Sequence, residues 1–250
     1  MRLSKVVSAR GHRIWEGVEL FEGGAALLTD ENTLVVADMH LGCEAALEYE
    51  GLSIPRVQTR KIESYLLGII DSIGPRKLIV VGDLKHNFSR NLAQEWQDVS
   101  RFVHSLRKNV PLEVIKGNHD NYLGAILSEL GIPLRKETIS CGYRILHGHV
   151  GSRADYPTII GHVHPSIRIR DSVGASLKDH CFLYNQETKM LILPALSIVA
   201  PGMDVLGNVS SDRASPLLPE NGLADFVPVL FSKEKAMRFP TVGALRCTQD

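Results

Sequence analysis

The sequence predicts an α/β protein in which two sheets pack face to face with helices outside. Three observations carry this expectation. The first half alternates strand and helix signals, and the second half reads as short strands joined by turn residues. The length of 250 residues and a hydrophobic content of 44% allow a sizeable core, and a charged content of 22% belongs to an ordinary globular chain.

Apolar, β-branched-rich runs at 33–37, 77–81 and 112–115 end in Asp or Gly, as buried parallel strands do. The intervening segments carry helical patterns. Ile62, Tyr65, Leu66, Ile69, Ile70 and Ile73 repeat at helical spacing between Pro55 and Gly74-Pro75. Leu92, Trp96, Val99, Val103 and Leu106 form a second apolar stripe, closed by Asn109 and Pro111, which reads as core. A third, short helix is expected near Tyr122–Leu130, stopping at Gly131. Later strands are expected at 143–146, 158–161, 166–170, 181–184 and 190–193. Residues 207–222 read as a surface loop rich in Ser, Pro, Asn and Asp, and 224–231 as a late edge strand. One domain spanning 1–250 is expected, with 223–250 as a C-terminal edge segment.

Lys+Arg and Asp+Glu are balanced at 28 each, so no global positive field draws in polyanions, and any such ligand must be bound locally. The four cysteines, Cys43, Cys141, Cys181 and Cys247, form no C-x-x-C pair, and the segment from Met1 to Trp15 lacks an apolar signal region. The expectation is a cytoplasmic protein with reduced thiols. The most apolar stretch, Leu191 to Met203, is interrupted by Pro194 and Pro201 and is too short to cross a bilayer, so no membrane span is expected.

The chemistry-bearing residues lie where strands end. Asp38-Met39-His40 follows the run 33–37, and residues i and i+2 of an extended segment point the same way, so a carboxylate and an imidazole are expected to leave the sheet edge together. Alone, that pattern reads more readily as a turn with a capping Asp. The next strand delivers Gly82-Asp83, placing a second carboxylate beside the first, where it can bridge two cations. The third runs into Gly117-Asn118-His119-Asp120, in which Asn118 offers an amide oxygen suited to Mn²⁺ or Mg²⁺ and His119 is left for chemistry. Three consecutive strands with such endings are not explained by capping. From the second half come His147-Gly148-His149 and Gly161-His162-Val163-His164, which hold four of the ten histidines. The i, i+2 spacing of His162 and His164 repeats that of Asp38 and His40.

Taken in order, these motifs resemble the D-x-H, G-D-x-x-[DH], G-N-H-[DE], H and G-H-x-H series of the calcineurin-like metallophosphoesterases, from Asp38 to His164. Within that superfamily, Asp38 to Gly42, with Glu44 and the segment from Gly51 to Pro55, resembles the archaeal SbcD-related and bacterial DNA-ligase-associated phosphoesterases. The resemblance implies a four-layer α/β/β/α sandwich of two mixed sheets flanked by helices. It implies two divalent cations, one held by Asp38, His40, Asp83 and His164 and the other by Asp83, Asn118, His147 and His162. Mn²⁺ is the first choice, with Fe²⁺, Zn²⁺ or Co²⁺ also suited to such donors.

The implied reaction is hydrolysis of a phosphodiester in a nucleotide or nucleic acid, by attack of a metal-bound hydroxide and proton donation from His119. Asn118, His86 and His149 are the implied substrate contacts. His86 stands where the protein-phosphatase branch has an Asp that pairs with the G-N-H histidine, and Asn87 follows it where that branch usually has Arg-Gly, which argues against a phosphoprotein phosphatase. A packing role for His86 and a loop hydrogen-bonding role for His149 are the alternatives. Asp120 is expected to cap the helix near Tyr122, with orienting a ligand as the alternative, and Glu44 to serve the loop after His40; Lys85 reads as an exposed lysine without a function, with contact to a phosphate as the alternative. His12, His104 and His180 lie outside every motif. With only about fifty residues beyond the core, processive duplex degradation is not expected; a small diester, a short single strand or an end delivered by a DNA-repair partner fits better. The alternative functions are a phosphomonoesterase and a non-catalytic, metal-binding interaction scaffold. Oligomeric state is left open.

Overall fold

The computed structural model describes residues 10–52, 54–86, 93–153, 155–170, 176–207, 214–232 and 235–248. Leu92, Asn87 and part of the expected loop at 207–222 lie outside the described residues. Four antiparallel strands open the fold: β1 (His12–Trp15), β2 (Val18–Phe21), β3 (Ala25–Leu28) and β4 (Thr33–Ala37). Then follow α1 (Cys43–Tyr49), α2 (Gln58–Ile73), β5 (Lys77–Val81), α3 (Ala93–Arg107), β6 (Leu112–Ile115), α4 (Leu123–Glu129) and β7 (Leu134–Arg135). Strands β4 to β7 are parallel neighbours, so the first sheet runs β1 to β7 in chain order. A second sheet contains β8 (Glu137–Ser140), β9 (Tyr143–Leu146), β10 (Thr158–Ile160), β13 (Phe182–Asn185), β14 (Met190–Ile192), β16 (Val227–Ser232) and β17 (Lys235–Arg238). A small third sheet joins β11 (Pro165–Arg170), β12 (Ser176–His180) and β15 (Met203–Asp204), and the final helix is α5 (Val242–Cys247).

The layers follow from strand alternation. In β4, Leu34 and Val36 face the helices while Val35 and Ala37 face the other sheet; in β5, Leu78 and Val80 divide from Ile79 and Val81 in the same way. The helix side is closed by Ile62, Leu66 and Ile69 of α2, Val99, Phe102 and Val103 of α3, and Ile126 and Leu127 of α4. Between the sheets, Trp15, Leu20 and Leu28 meet Phe182, Tyr184, Leu191 and Val229. The far face of the second sheet, with Ile160, Leu183 and Ile192, is covered by Ile167, Val205, Leu217, Phe226 and Val242. That fourth layer is built largely from the third sheet, residues 214–226 and the six-residue α5. Its Pro- and Gly-punctuated sequence cannot sustain a long helix.

Three expectations about elements change. The described part of the expected surface loop, 214–222, is not all at the surface, because Ala214, Leu217 and Leu218 are buried against the second sheet. The late strand falls at Val227–Ser232 and is interior, because β17 pairs outside it and takes the edge. The strands β1 to β3, which no motif marked, extend the first sheet on its antiparallel side. Helix α2 ends as expected, with Gly74 at φ 63 donating its N–H to the carbonyl of Ile70.

Candidate metal centre

The carboxyl ends of β4, β5 and β6 release three loops side by side, and those of β9 and β10 release two more across the gap between the sheets. The first two loops continue the parallel ladder beyond the strands: Asp38, His40 and Leu41 N–H groups donate to the carbonyls of Gly82, Asp83 and Leu84. From the other side, the segment after β14 lies along the first loop, with Ser197 N–H donating to the Asp38 carbonyl.

The way the side chains converge differs from the expectation. Asp38 and His40 do not extend the strand; both have left-handed backbone, at φ 54 and 46, as do Asp83 at 47, His162 at 64 and His164 at 47. Non-glycine residues rarely adopt this region, and such strain concentrates where surrounding structure imposes it for function. The i, i+2 pairs therefore converge through turned backbone rather than through strand periodicity.

The result brings together every residue singled out from the motifs. Asp38, His40, Asp83 and His164 present ligand atoms within 4.8 Å of one another, and so do Asp83, His147 and His162. Asp83 belongs to both groups. Its Oδ2 lies 3.7 Å from His40 Nε2 and 3.4 Å from His147 Nε2, while Oδ1 accepts the backbone N–H of His119 at 2.8 Å. Asn118 Oδ1 is 3.1 Å from His147 Nε2. His149 packs at the edge, its ring centroid 5.1 Å from that of His147 and 6.0 Å from that of His162.

The donors fit cations. Asp38 is fully buried and its Oδ2 accepts the His162 N–H, yet Oδ1 has no hydrogen-bond partner and points toward His164 Nε2 at 3.4 Å. A buried carboxylate oxygen without a donor is costly unless a positive charge meets it. The second sign is at His147. Its Nδ1 sits 3.1 Å from the carbonyl of Val81, which can only accept, so Nδ1 carries a proton and Nε2 faces the oxygens of Asp83 and Asn118, where either a second proton or a cation satisfies all three. Oxygen and imidazole donors so arranged suit a first-row divalent ion.

Without cations, the site holds protons instead. Burial disfavours charge on His147, but the hydrogen bond to Asp83 and the nearby Asp38 carboxylate outweigh it and lift its pKa to about 9. His164 is raised likewise, burial being overcome by Asp38. Burial pushes His40 down to about 3, and burial with the charge on His147 pushes His162 to about 4. Asp83 lies well below the carboxylate range, because His147 and the His119 N–H prevail over burial.

Around this core stands a second set of imidazoles. His86 Nδ1 is 3.3 Å from His40 Nδ1, and His119 Nδ1 is 2.6 Å from the carbonyl of His86. The His86 and His119 rings stack with centroids 5.6 Å apart.

The family model for calcineurin-like phosphoesterases matches residues 32–174, more than half of the chain and every ligand group just described. The chain belongs to the calcineurin-like phosphoesterases. It is accordingly a metal-dependent phosphoester hydrolase with two mixed sheets in the arrangement of that family. Among solved structures it is similar to the Pseudomonas putida nuclease MPE, with a TM-score of 0.62 and 20% identity over 89% of this chain and 94% of that one, which shows a shared fold. It also matches Yfce, a phosphoesterase from E. coli, with a TM-score of 0.40 and 13% identity over 84% of this chain and 98% of that one. No curated protein matches the sequence.

Three supporting residues take roles other than those expected. Asp120 does not cap α4; its oxygens accept the N–H groups of Gly117 and Lys85, tying the loops after β5 and β6 together. Burial and the Asp83 charge push its pKa up to about 6. Lys85 is buried rather than exposed. Glu44 accepts from the N–H groups of Val57 and Gln58 and so serves the start of α2. Sequence reasoning missed Gln58, a buried amide that bonds the first metal loop and carries no motif signal. No helix among the described residues is long and apolar enough to cross a membrane.

Proposed function

We propose that the chain is a dinuclear phosphodiesterase acting on a nucleotide or nucleic-acid phosphodiester, with Mn²⁺ as the preferred ion. The observation that carries this reading is the pair of ligand groups sharing Asp83. Asp38, His40, Asp83 and His164 would hold one cation, and Asp83, Asn118, His147 and His162 the other. Bound there, the pair supplies Lewis acidity toward phosphoryl oxygens and lowers the pKa of water. Fe²⁺, Zn²⁺ and Co²⁺ suit the same donors.

The remaining residues handle substrate and protons. His40, if its Nε2 faces the cation, carries its proton on Nδ1 and donates it toward His86 Nδ1, 3.3 Å away. That fixes the His86 proton on Nε2, while burial keeps this imidazole neutral, so His86 serves as a hydrogen-bond donor to a phosphate oxygen. His119 directs Nδ1–H to the His86 carbonyl, and in its imidazolium form its Nε2–H would give the second proton to the leaving oxygen. Asn118 and His149 complete the substrate contacts. Tyr122, exposed and three residues beyond His119, offers an aromatic face on which a base can stack. Likeness to a nuclease, MPE, supports the choice of diester. The branch resemblance supports a DNA-repair partner, and the scattered cysteines support a cytoplasmic setting.

The test compares turnover of an aryl phosphodiester and an aryl phosphomonoester with Mn²⁺, beside Asp83→Ala. Faster diester turnover that disappears in Asp83→Ala is expected. Faster monoester turnover would instead make the protein a phosphomonoesterase, and absence of both would leave a metal-binding scaffold.

A further inference from the structure

The backbone of the loop bearing Asp38 and His40 is bonded by a side chain from another element. Gln58, at the first position of α2, is fully buried. Its Nε2 donates to the carbonyls of His40 at 2.9 Å and Met39 at 3.3 Å, and its Oε1 accepts from Ser197 Oγ at 2.8 Å and the Val199 N–H at 3.1 Å. The amide orientation is unambiguous, since a flip would set its oxygen against two carbonyls. Both hydrogens of the amide nitrogen and both lone pairs of its oxygen are thus engaged, and Ser197 N–H in turn donates to the Asp38 carbonyl. Met39 and His40 are buried, and their carbonyls need donors. The His40 carbonyl also accepts the Cys43 N–H at 3.2 Å, and Gln58 supplies the side-chain donor that ties both carbonyls together.

We propose that Gln58 is a positioning residue that sets the affinity of one cation site, that of Asp38, His40, Asp83 and His164, and leaves the site of Asp83, His147 and His162 near its own value. This rests on the dinuclear reading above and adds to it an asymmetry between the two sites. The selectivity follows from the connections: Gln58 bonds the loop at 39–40 and the segment at 197–199, whereas His147 and His162 are delivered by the loops after β9 and β10. Groups that orient a ligand through a hydrogen bond typically change metal affinity roughly ten- to a hundredfold when removed.

The test is calorimetric titration of the metal-free full chain with Mn²⁺, repeated with Co²⁺ to read ligand-field absorption, on the parent, Gln58→Met and Ser197→Ala. The parent is expected to take up two ions. Gln58→Met should bind one at parental affinity and the other roughly ten- to a hundredfold more weakly, with one of two Co²⁺ signatures displaced. Ser197→Ala keeps the amide but removes one of its anchors, and should weaken the same ion severalfold; it decides the matter if Gln58→Met does not fold. Equal weakening of both ions, or two parental affinities in the variants, would overturn the role of Gln58 alone. A parent chain that binds no pair of ions would overturn the dinuclear reading beneath it.

Discussion

At the scale of single residues, the site is unfavourable until it is filled. Asp38 keeps a buried oxygen without a donor, and Asp83 directs one oxygen at two imidazole nitrogens. A hydrophobic replacement would serve folding at least as well, since pairing buried charges returns little beyond the cost of taking them out of water. The placing of these groups is explained by their fit to cations. His119 differs from the ligands in this respect. Its N–H steadies Asp83, but its ring is anchored to the His86 carbonyl and sits 4.0 Å from Asp83 Oδ2, outside the two groups that share Asp83, although it forms a further cluster of donors with His40 and His86. His119→Ala should therefore lower kcat by about 10²- to 10⁴-fold while retaining the two-ion stoichiometry in a calorimetric titration. Full activity in that variant would remove His119 from proton transfer, and loss of an ion would make it a ligand.

At the scale of elements, loops make the site and glycines let them close. A Cβ on Gly117 would stand 2.1 Å from Asp83 Oδ1 and 2.3 Å from its backbone nitrogen. One on Gly82, which also has φ +74, would stand 2.1 Å from His147 Nδ1. Gly51 has φ +93 but nothing within 4 Å, so it separates backbone strain from crowding. Gly117→Ala and Gly82→Ala should each cost about 1–3 kcal/mol in chemical denaturation and abolish binding of the ion pair. Gly51→Ala should lose about 1 kcal/mol with ion binding intact; equal ion loss in all three would refute the crowding argument. These loops also mark what the sequence can and cannot disclose. The runs Thr33–Ala37, Lys77–Val81 and Leu112–Ile115 are strands to the residue, because strands buried on both faces are written as nearly continuous apolar text, interrupted here by Thr33, Lys77 and Glu113. The ligands were legible because each follows such a run. Their left-handed backbone was not, since spacing alone cannot distinguish an extended pair from a turned one. Asp120 was misjudged for a similar reason: capping is local and predictable, while its real partners, Gly117 and Lys85, are set by how two loops meet. Gln58 shows the limit, as a glutamine opening a helix looks like surface until the loop at 39–40 is laid over it.

At the scale of the molecule, the ions would join the two sheets: Asp38, His40, Asp83 and Asn118 follow strands of the first, and His147, His162 and His164 follow strands of the second. Stability should then depend on pH and on metal together. In the metal-free chain, His147 has a folded pKa of about 9, above its ordinary 6.5, so its contribution is complete below pH 6.5 and is lost as pH rises through 9. His40 and His162 are depressed to about 3 and 4, so the unfolded chain binds their protons first and stability falls as pH drops below 6.5 toward those values. The two flanks place the metal-free optimum near pH 6.5. Filling the site reverses the alkaline flank, because an ion must displace the extra proton of His147 and its affinity climbs with pH up to about 9. At an ion concentration of a hundred times Kd the gain is about 2.7 kcal/mol per site, or roughly 5–10 °C in Tm for a domain of this size. Thermal melts at pH 6 and pH 8.5, with chelator and with Mn²⁺, should therefore show the chelated chain less stable at pH 8.5 and the Mn²⁺-induced shift larger there. Equal shifts at the two pH values would mean that no proton leaves when the ion enters, and that His147 is not where it binds.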